Sequence, residues 1–382
     1  MTFSFVKDAL AQRRQDNLLR RRNLIKTLEG QQIEVGGRRF LNFSSNDYLG
    51  LNNHPQINRA LEEGAKRFGA SSSSSSLVTG YGYAHQKLEE TICQWLNKER
   101  CLLFSSGFSA NLGSLQTIKN NGVSLFLDKL SHASLIDGAR LSSKKDDIKV
   151  NRFKHNNVAH LRTLLQASSN DKLVVTESIF SMDGDISPLK EIADAAQQAH
   201  AKVFIDDAHG IGVLGEQGQG AASFIDTDIT MGTFGKAIAT QGAFVACDDS
   251  LFEYLINFSR EYIYSTAISP AAAWATIQSI ELIKNEPWRR EKIKDLSQVF
   301  KNELDSSISL LPTDGSIHAI VIGDEEKTLT VSKQLAEAGF WLTAIRPPTV
   351  PKGTSRLRVT ICENHNVKDI IRLAKEINKA LV

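Results

Sequence analysis

The sequence predicts an α/β fold, with a mostly parallel central sheet carrying helices on both faces and a smaller α+β C-terminal domain. Three observations predict it. Short apolar runs (CLLFS, VSLFLD, KLVVTES, KVFIDD, DITMGTF) alternate with helical stretches such as ANLGSLQTI and PLKEIADAAQQA, the pattern of βαβ units in a parallel sheet. From about Ile268 the rhythm changes. Two long helical stretches, AAAWATIQSIELIKN and WRREKIKDLSQVFKNELDSS, precede strand-like HAIVIG and RLRVTI and a closing helix from Val367. Finally, 382 residues suffice for one large domain and one smaller one. The expected division is 1–50 as an N-terminal helix and hairpin segment, 51–270 as the large domain and 271–382 as the smaller one.

Taken in order, MTFSFVKDALAQRRQDNLLRRRNL reads as a basic amphipathic helix with Phe5, Ala9 and Leu10 on one stripe. A solvated surface helix is its ordinary reading, ahead of an anion-binding one. It lacks a secretory apolar core and keeps Asp8 and Asp16. QIEVGGRRFLNF reads as a hairpin turning at Gly36-Gly37. The serine run Ser71–Ser76 reads as a loop between helices. No apolar run approaches a membrane span, so no membrane association is expected. A net charge of +2 with 23% charged residues argues against nucleic acid as a partner. Cys93, Cys101, Cys247 and Cys362 are scattered, with neither CxxC nor metal spacing. No metal and a reducing, cytoplasmic setting are expected.

In parallel sheets, ligands gather beyond the carboxyl ends of the strands, and the unusual polar residues fall there. Asp206, Asp207 and His209 follow KVFI; Thr233, Gly235 and Lys236 follow DITM; Ser105 to Phe108 follow CLLF; Glu177, Ser178 and Ser181 follow KLVV. This is the inventory that pyridoxal 5'-phosphate (PLP) needs. A lysine forms the imine, a carboxylate keeps the pyridine nitrogen protonated, helix-entry N–H groups and hydroxyls hold the phosphate, and an aromatic ring covers one face. Each member alone has a bland alternative. The lysine could be solvated, the Asp pair a turn or N-cap, His132 a helix cap or core residue, and SSGF plain helix entry. The ordered set SSGF, SHAS, SMDGD, DDAHG, TFGK is hard to obtain by chance.

SNDYLGL, SGFSAN, DKLSHASL, VTESIFSMDGDISPL, DDAHGIGVLGEQGQG, TFGKA and IYSTA together resemble the α-oxoamine synthases. These fold-type I PLP enzymes condense an amino acid with an acyl thioester and release carbon dioxide. The resemblance covers nearly the whole chain. AIRPPTVPKGTSRLRVTI, Ala344 to Ile361, is most similar to the branch that joins L-alanine to a pimeloyl thioester in biotin biosynthesis, carried by CoA or by acyl carrier protein. A glycine-using acetyltransferase of the same family is the alternative. A catalytically silent PLP-fold regulatory or scaffold subunit is the distant one, against which Lys236, Asp206 and His132 together weigh.

The resemblance implies roles. Lys236 would carry PLP as a Schiff base and move the substrate proton. Asp206, standing three before the histidine, would pair with the pyridine nitrogen. His209 would contact the ring oxygen, and His132 would stack on the ring. Gly107, Phe108 and Thr233 would hold the phosphate, with Ser181 adding a polar contact. Thr266 would be lent by the second subunit of a homodimer. Arg358 would grip the amino-acid carboxylate, Asn46 and Glu177 would complete the alanine and acyl sites, and Arg20 and Thr349 would contact the acyl substrate. Two departures from the family concern shape. The tract Ala70–Leu77 is nearly all serine where the family is glycine-rich, and Ala239-Thr240 replaces a more glycine-bearing turn.

Overall fold

A computed structural model describes residues 3–119, 122–141 and 150–382. The chain divides into two compact units. The smaller comprises Met1–Tyr48, Met182–Asp185 and Glu291–Val382, and the larger Leu49–Ser181 and Ile186–Arg290.

The smaller unit opens with α1 (Ser4–Gln15), none of whose residues is buried, in line with a solvated helix. Strands β1 (Ile25–Thr27), β2 (Gln32–Val35) and β3 (Arg38–Asn42) follow. Gly36 and Gly37 have φ of +56° and +78°. Both centres of this two-residue turn need the left-handed region, which matches the twist of the flanking strands.

The larger unit runs from α2 (Pro55–Phe68) through α3 (Tyr83–Leu96), β4 (Arg100–Phe104), α4 (Gly107–Lys119), β5 (Ser124–Asp128), α5 (Ala133–Arg140), β6 (Val150–Phe153) and α6 (Val158–Gln166). It continues with β7 (Lys172–Glu177), α7 (Leu189–Gln198), β8 (Lys202–Asp206), β9 (Ile229–Thr233), β10 (Ala243–Cys247), α8 (Asp249–Phe258), α9 (Arg260–Ile263) and α10 (Pro270–Asn285). Its seven-stranded sheet has the order β4-β10-β9-β8-β7-β5-β6. Only β10 runs against its neighbours; β9, β8, β7, β5 and β6 pair in parallel. All five strands read from the sequence form. β6 and β10 join them, unread because VNRF is short and half polar and AFVAC is a short apolar run with no period of its own.

The central strands are largely apolar because both faces are covered. Leu125, Leu127, Leu173, Val175 and Phe204 belong to one core, with Leu115 of α4 and Leu135 of α5. Their sequence neighbours Phe126, Val174, Val203 and Ile205 belong to the other, with Leu161 of α6 and Ile192 of α7. Each such side chain contributes about 1.5–3 kcal/mol on full burial.

Helix α10 lies in the larger unit rather than opening the smaller one, so the compact units differ from a division at residue 270. The reason is packing. α10 lies on α2 so closely that a Cβ on Gly64 would stand 2.9 Å from the Ala271 Cα. The serine tract is a loop between α2 and α3, as expected, and it is ordered by pairing. Ser72 Oγ donates to the Ile268 carbonyl at 2.6 Å, the Ala267 N–H donates to the Ser74 carbonyl at 3.0 Å, and Ser75 forms a β-bridge with Thr266.

Returning to the smaller unit, α11 (Trp288–Glu303) leads to β11 (Ile317–Gly323), α12 (Glu325–Glu337), β12 (Phe340–Trp341), β13 (Thr343–Ile345), β14 (Ser355–Thr360) and α13 (Val367–Leu381). The sheets are β1-β2-β3-β12 and β11-β14-β13. The N-terminal hairpin is thus not a separate segment: β3 pairs in parallel with β12, Leu41 opposite Phe340. Phe43, Phe300, Phe340, Leu357 and Ile370 share one core. Among the described residues, no helix is long and apolar enough to cross a membrane.

Candidate active site

Glu177 ends β7 and Asp206 ends β8, opposite each other in the parallel register. Asp206 is held on both oxygens. Oδ1 accepts the Ala208 N–H at 3.0 Å, and Oδ2 accepts Asn111 Nδ2 at 2.7 Å. The same Asn111 amide donates to Ser134 Oγ at 2.9 Å, and Ser134 Oγ lies 2.7 Å from His132 Nδ1. His132 does cap α5, since its Nδ1 accepts the Ser134 N–H at 3.2 Å. The cap leaves the neutral ring's proton on Nε2 and fixes the imidazole in place. Burial lowers the His132 pKa, with Lys236 acting in the same direction and Asp206 opposing.

Below this chain of bonds, Glu177 is fully enclosed and its Oε1 accepts the backbone N–H of His132 at 2.6 Å. Burial pushes its carboxyl well above the usual range, and the charge of Asp206 adds to that; the His132 N–H opposes it. The Glu177 carboxyl therefore supports the backbone that carries His132.

Lys236 Nζ lies 2.9 Å from His209 Nε2. The lysine sits in the loop after β9, which is closed by Phe234 N–H to the Gly242 carbonyl at 2.9 Å and Thr240 N–H to the Phe234 carbonyl at 2.8 Å. Ala239 takes φ of +60° in this loop, a left-handed conformation that costs a non-glycine residue roughly 1–2 kcal/mol. The two aspartates of DDAHG separate in role. Asp207 accepts Ser178 Oγ and the Ala221 N–H, anchoring the loop that carries His209. A Cβ on Gly220 would stand 1.8 Å from Asp207 Oδ2, so only glycine permits this approach. Burial pushes Asp207 up to about 7, against the Ser178 and Ala221 hydrogen bonds.

Helix α4 starts at Gly107, and the first-turn N–H groups of Gly107 and Phe108 have no acceptor within the helix. Thr233, at the end of β9, has a buried Oγ1 with no hydrogen-bond partner among the described residues. A Cβ on Gly107 would lie 2.5 Å from Thr233 Cγ2, so glycine is what lets the helix terminus and the hydroxyl share one cradle. A helix N-terminus beside an orphaned buried hydroxyl is suited to a phosphate. With Asp206, His132 and Lys236, these residues fit PLP. Ser181 is buried in the loop after β7, and Phe108 and Thr266 are exposed on this unit.

The smaller unit holds the other expected residues. Arg358, in β14, is nearly buried, with Nη1 donating to Thr360 Oγ1 at 3.1 Å. Its Nη2 donates to Asn46 Oδ1 at 3.1 Å and reaches Tyr48 Oη at 3.4 Å. Burial pushes Tyr48 up to about 12, although Arg358 opposes the shift. Arg20 Nη2 donates to Thr349 Oγ1 at 3.0 Å, joining two residues 329 apart in sequence. Asn111 and Ser134 were not singled out in the sequence. Both lie inside quoted motifs, SGFSAN and SHASL, but a polar residue on a helix carries no mark of burial.

The description "Aminotransferase class I and II" matches residues 38–377. A protein of Vibrio parahaemolyticus named 8-amino-7-oxononanoate synthase is 43% identical over 99% of this chain and 98% of its own length. The chain belongs to the class I and II aminotransferase family, in its 8-amino-7-oxononanoate synthase group. The family assignment extends to solved structures. Serine palmitoyltransferase of S. paucimobilis, solved with a bound PLP–myriocin adduct, superimposes with a TM-score of 0.91 at 25% identity, covering 99% of this chain and 98% of that one. The 8-amino-7-oxononanoate synthase of Francisella tularensis gives a TM-score of 0.77 at 28% identity, covering 89% and 97%. Fold and cofactor agree with the sequence reading: this is a PLP-dependent enzyme of that family.

Proposed function

We propose that the protein catalyses the decarboxylative condensation of L-alanine with a pimeloyl thioester, giving 8-amino-7-oxononanoate, carbon dioxide and the free thiol carrier, in biotin biosynthesis. The observation that carries this reading is the Lys236–His209 and Asn111–Asp206 cluster beside the Gly107–Thr233 cradle, in a chain matched end to end by synthases of that name. Pimeloyl-CoA and pimeloyl-acyl carrier protein are the two candidate forms of the thioester.

In this reading PLP, when bound, supplies an electron sink for the charge that develops at the alanine Cα. The protein's groups do the rest. Lys236 holds the cofactor, takes the Cα proton and later returns one to the product carbon, with His209 fixing its Nζ and meeting the ring oxygen. Asp206, oriented by Asn111, keeps a proton on the pyridine nitrogen. His132 covers the ring from a position set by its cap. Gly107, Phe108 and Thr233 hold the phosphate, Ser181 adds a polar contact and Thr266 comes from a second copy. Arg358, its fork fixed by Thr360, Asn46 and Tyr48, grips the alanine carboxylate. Arg20 and Thr349 contact the acyl substrate. Glu177 serves through His132, which its carboxyl supports.

A homodimer is part of the proposal. Leu77, Val78 and Tyr264 are exposed apolar side chains near the Ser75–Thr266 bridge, where a second copy would cover them. A cytoplasmic setting is proposed as well, in keeping with four free cysteines. The test is a comparison of initial rates for alanine or glycine paired with pimeloyl-CoA or acetyl-CoA. Alanine with pimeloyl-CoA should be the fastest pair. Glycine with acetyl-CoA fastest would make the protein an acetyltransferase, and no turnover of any pair with PLP bound would favour a silent subunit.

A further inference from the structure

The turn that begins at Lys236 is strained at its far end, and a helix of the larger unit holds it there. Three backbone bonds close the loop on itself: Phe234 N–H to the Gly242 carbonyl, Thr240 N–H to the Phe234 carbonyl, and Ala239 N–H to the Lys236 carbonyl at 2.9 Å. They give the loop its shape but do not fix where it lies. Side chains of α10 do that. Ser279 Oγ donates to the Ile238 carbonyl at 2.5 Å, and Thr276 Oγ1 lies 2.7 Å from Thr240 Oγ1. Thr276 also donates to the Ala272 carbonyl, at 2.7 Å. A hydroxyl has one proton, so with that proton on Ala272 the Thr276 oxygen accepts and Thr240 donates.

Two features set these bonds apart from ordinary helix packing. Thr276 and Ser279 are fully buried, three residues apart on one face of a helix whose other buried side chains are apolar. Buried hydroxyls are costly unless bonded, and both of these bond to the same loop. Their anchor points, Ile238 and Thr240, also flank Ala239 on either side. Ala239 takes φ of +60°, which an alanine keeps only where its surroundings hold it. We propose that Thr276 and Ser279 are positioning residues for Lys236. They hold the turn 236–239 in its left-handed form and so fix the base of the lysine side chain, whose Nζ then stays 2.9 Å from His209 Nε2. Released, Ala239 would relax toward negative φ and the turn would re-aim the amine. The inference rests on Lys236 as the proton carrier and not on the identity of the thioester.

The experiment follows solvent deuterium exchange at the Cα of L-alanine or glycine by proton NMR, with PLP-loaded enzyme and no thioester. In this exchange the Cα–H bond breaks, the proton passes to Nζ and equilibrates with solvent, and a deuteron returns to Cα, with no net redox change. Thr276→Val keeps the side chain's shape and removes its oxygen. Exchange at saturating amino acid should slow roughly 3- to 10-fold, the effect of one neutral hydrogen bond. Thr240→Val should do the same, and the two together should be no worse than either alone. Thr276→Ser should restore most of the rate. The deciding background is Ala239→Gly, because glycine adopts positive φ without being held. There, Thr276→Val should slow exchange by less than about 2-fold. A merely structural role would lower the melting temperature alike in both backgrounds, and glycine would not relieve the loss of exchange. Unchanged exchange in Thr276→Val, no recovery in Thr276→Ser, or a loss that Ala239→Gly leaves in place would each overturn the inference. A wild type that exchanges neither amino acid would instead remove Lys236 as the proton carrier, and the inference with it.

Discussion

The two units collect opposite kinds of chemistry. At its strand ends the larger unit gathers carboxyls, imidazoles and an amine: Glu177, Asp206, Asp207, His132, His209 and Lys236. In the smaller unit the guanidiniums Arg20, Arg346, Arg356 and Arg358 predominate, each held by neighbouring oxygens. The difference follows from strand direction. A parallel sheet brings every strand's carboxyl end to one edge, so residues far apart in sequence converge there and can exchange hydrogen bonds, as Asn111, Ser134 and Asp206 do. An antiparallel sheet has no such edge, and its functional side chains stand on a strand face at period two, as Arg356 and Arg358 do on β14. The first arrangement suits proton transfer among tuned groups, and the second suits the fixed recognition of anions.

Removing chemistry from the larger unit while leaving recognition in the smaller one intact is the strongest way to separate the two. Lys236→Ala should lower turnover by at least about 10³-fold, since it removes both the cofactor's attachment and the proton carrier. Pimelate binding should stay within about 2-fold of wild type. Borohydride reduction of wild type followed by peptide mapping should place the cofactor on Lys236. A mark on another lysine would break the assignment, and lost pimelate binding in the variant would break the division of labour.

The reciprocal change is Arg358→Lys. A lysine keeps the charge but not the fork that Thr360, Asn46 and Tyr48 orient. KM for alanine should rise roughly 10- to 100-fold with a smaller change in kcat. A fall in kcat alone would show that Arg358 acts on the reaction rather than on binding. A smaller effect is expected from Asn111→Ala, which frees one oxygen of Asp206 and breaks the bond to Ser134. Turnover should fall roughly 10-fold. The ¹⁵N shift of labelled PLP should report a less protonated ring nitrogen, a change that a purely structural role would not produce.

These contrasts also explain how much could be read beforehand. The larger unit's site was legible because its residues come in short contiguous motifs placed directly after apolar runs: TFGK after DITM, DDAHG after KVFI. The parallel sheet turns that linear rule into proximity. The smaller unit's cluster of cationic side chains was legible only in part. Arg20 and Thr349 came from resemblance, but nothing in a sequence says that Arg346 meets Asn17 or that Lys333 of α12 faces the same space. Strands of two or three residues such as β12 and β13 carry too little periodicity to register, and with them went the pairing that joins the N-terminal hairpin to the rest of its unit. That α10 packs on α2 at Gly64 is likewise a tertiary fact that helical periodicity does not carry.

The least dramatic consequence of the comparison concerns acid and base. In the larger unit, desolvation raises carboxyls, Asp207 to about 7 and Glu89 to about 8. In the smaller unit, burial lowers histidines, His318 to about 3 and His365 to about 4. The signs oppose each other. A carboxyl raised on folding binds more protons in the native state, so its contribution is greatest below about 4 and is lost as pH rises toward 7 or 8. A histidine lowered on folding binds fewer, so its contribution is full above about 6.5 and is lost as pH falls toward 4. His365 shows why protonation is costly. Its Nδ1 accepts the Cys362 N–H at 3.0 Å, Nε2 lies 3.1 Å from the Asn42 carbonyl, and the ring stacks on Phe43 at 4.0 Å. A second proton on Nδ1 would destroy the first bond. His365→Gln can both accept and donate yet cannot titrate, so it should lower the melting temperature by a few degrees near pH 7.5 through lost stacking. Between pH 6.5 and 5 it should then lose less stability than wild type, by about 2 kcal/mol. Calorimetric scans of the PLP-bound proteins at several pH values measure this directly. Parallel acid limbs for the two proteins would show that the histidines of the smaller unit do not set its acid sensitivity.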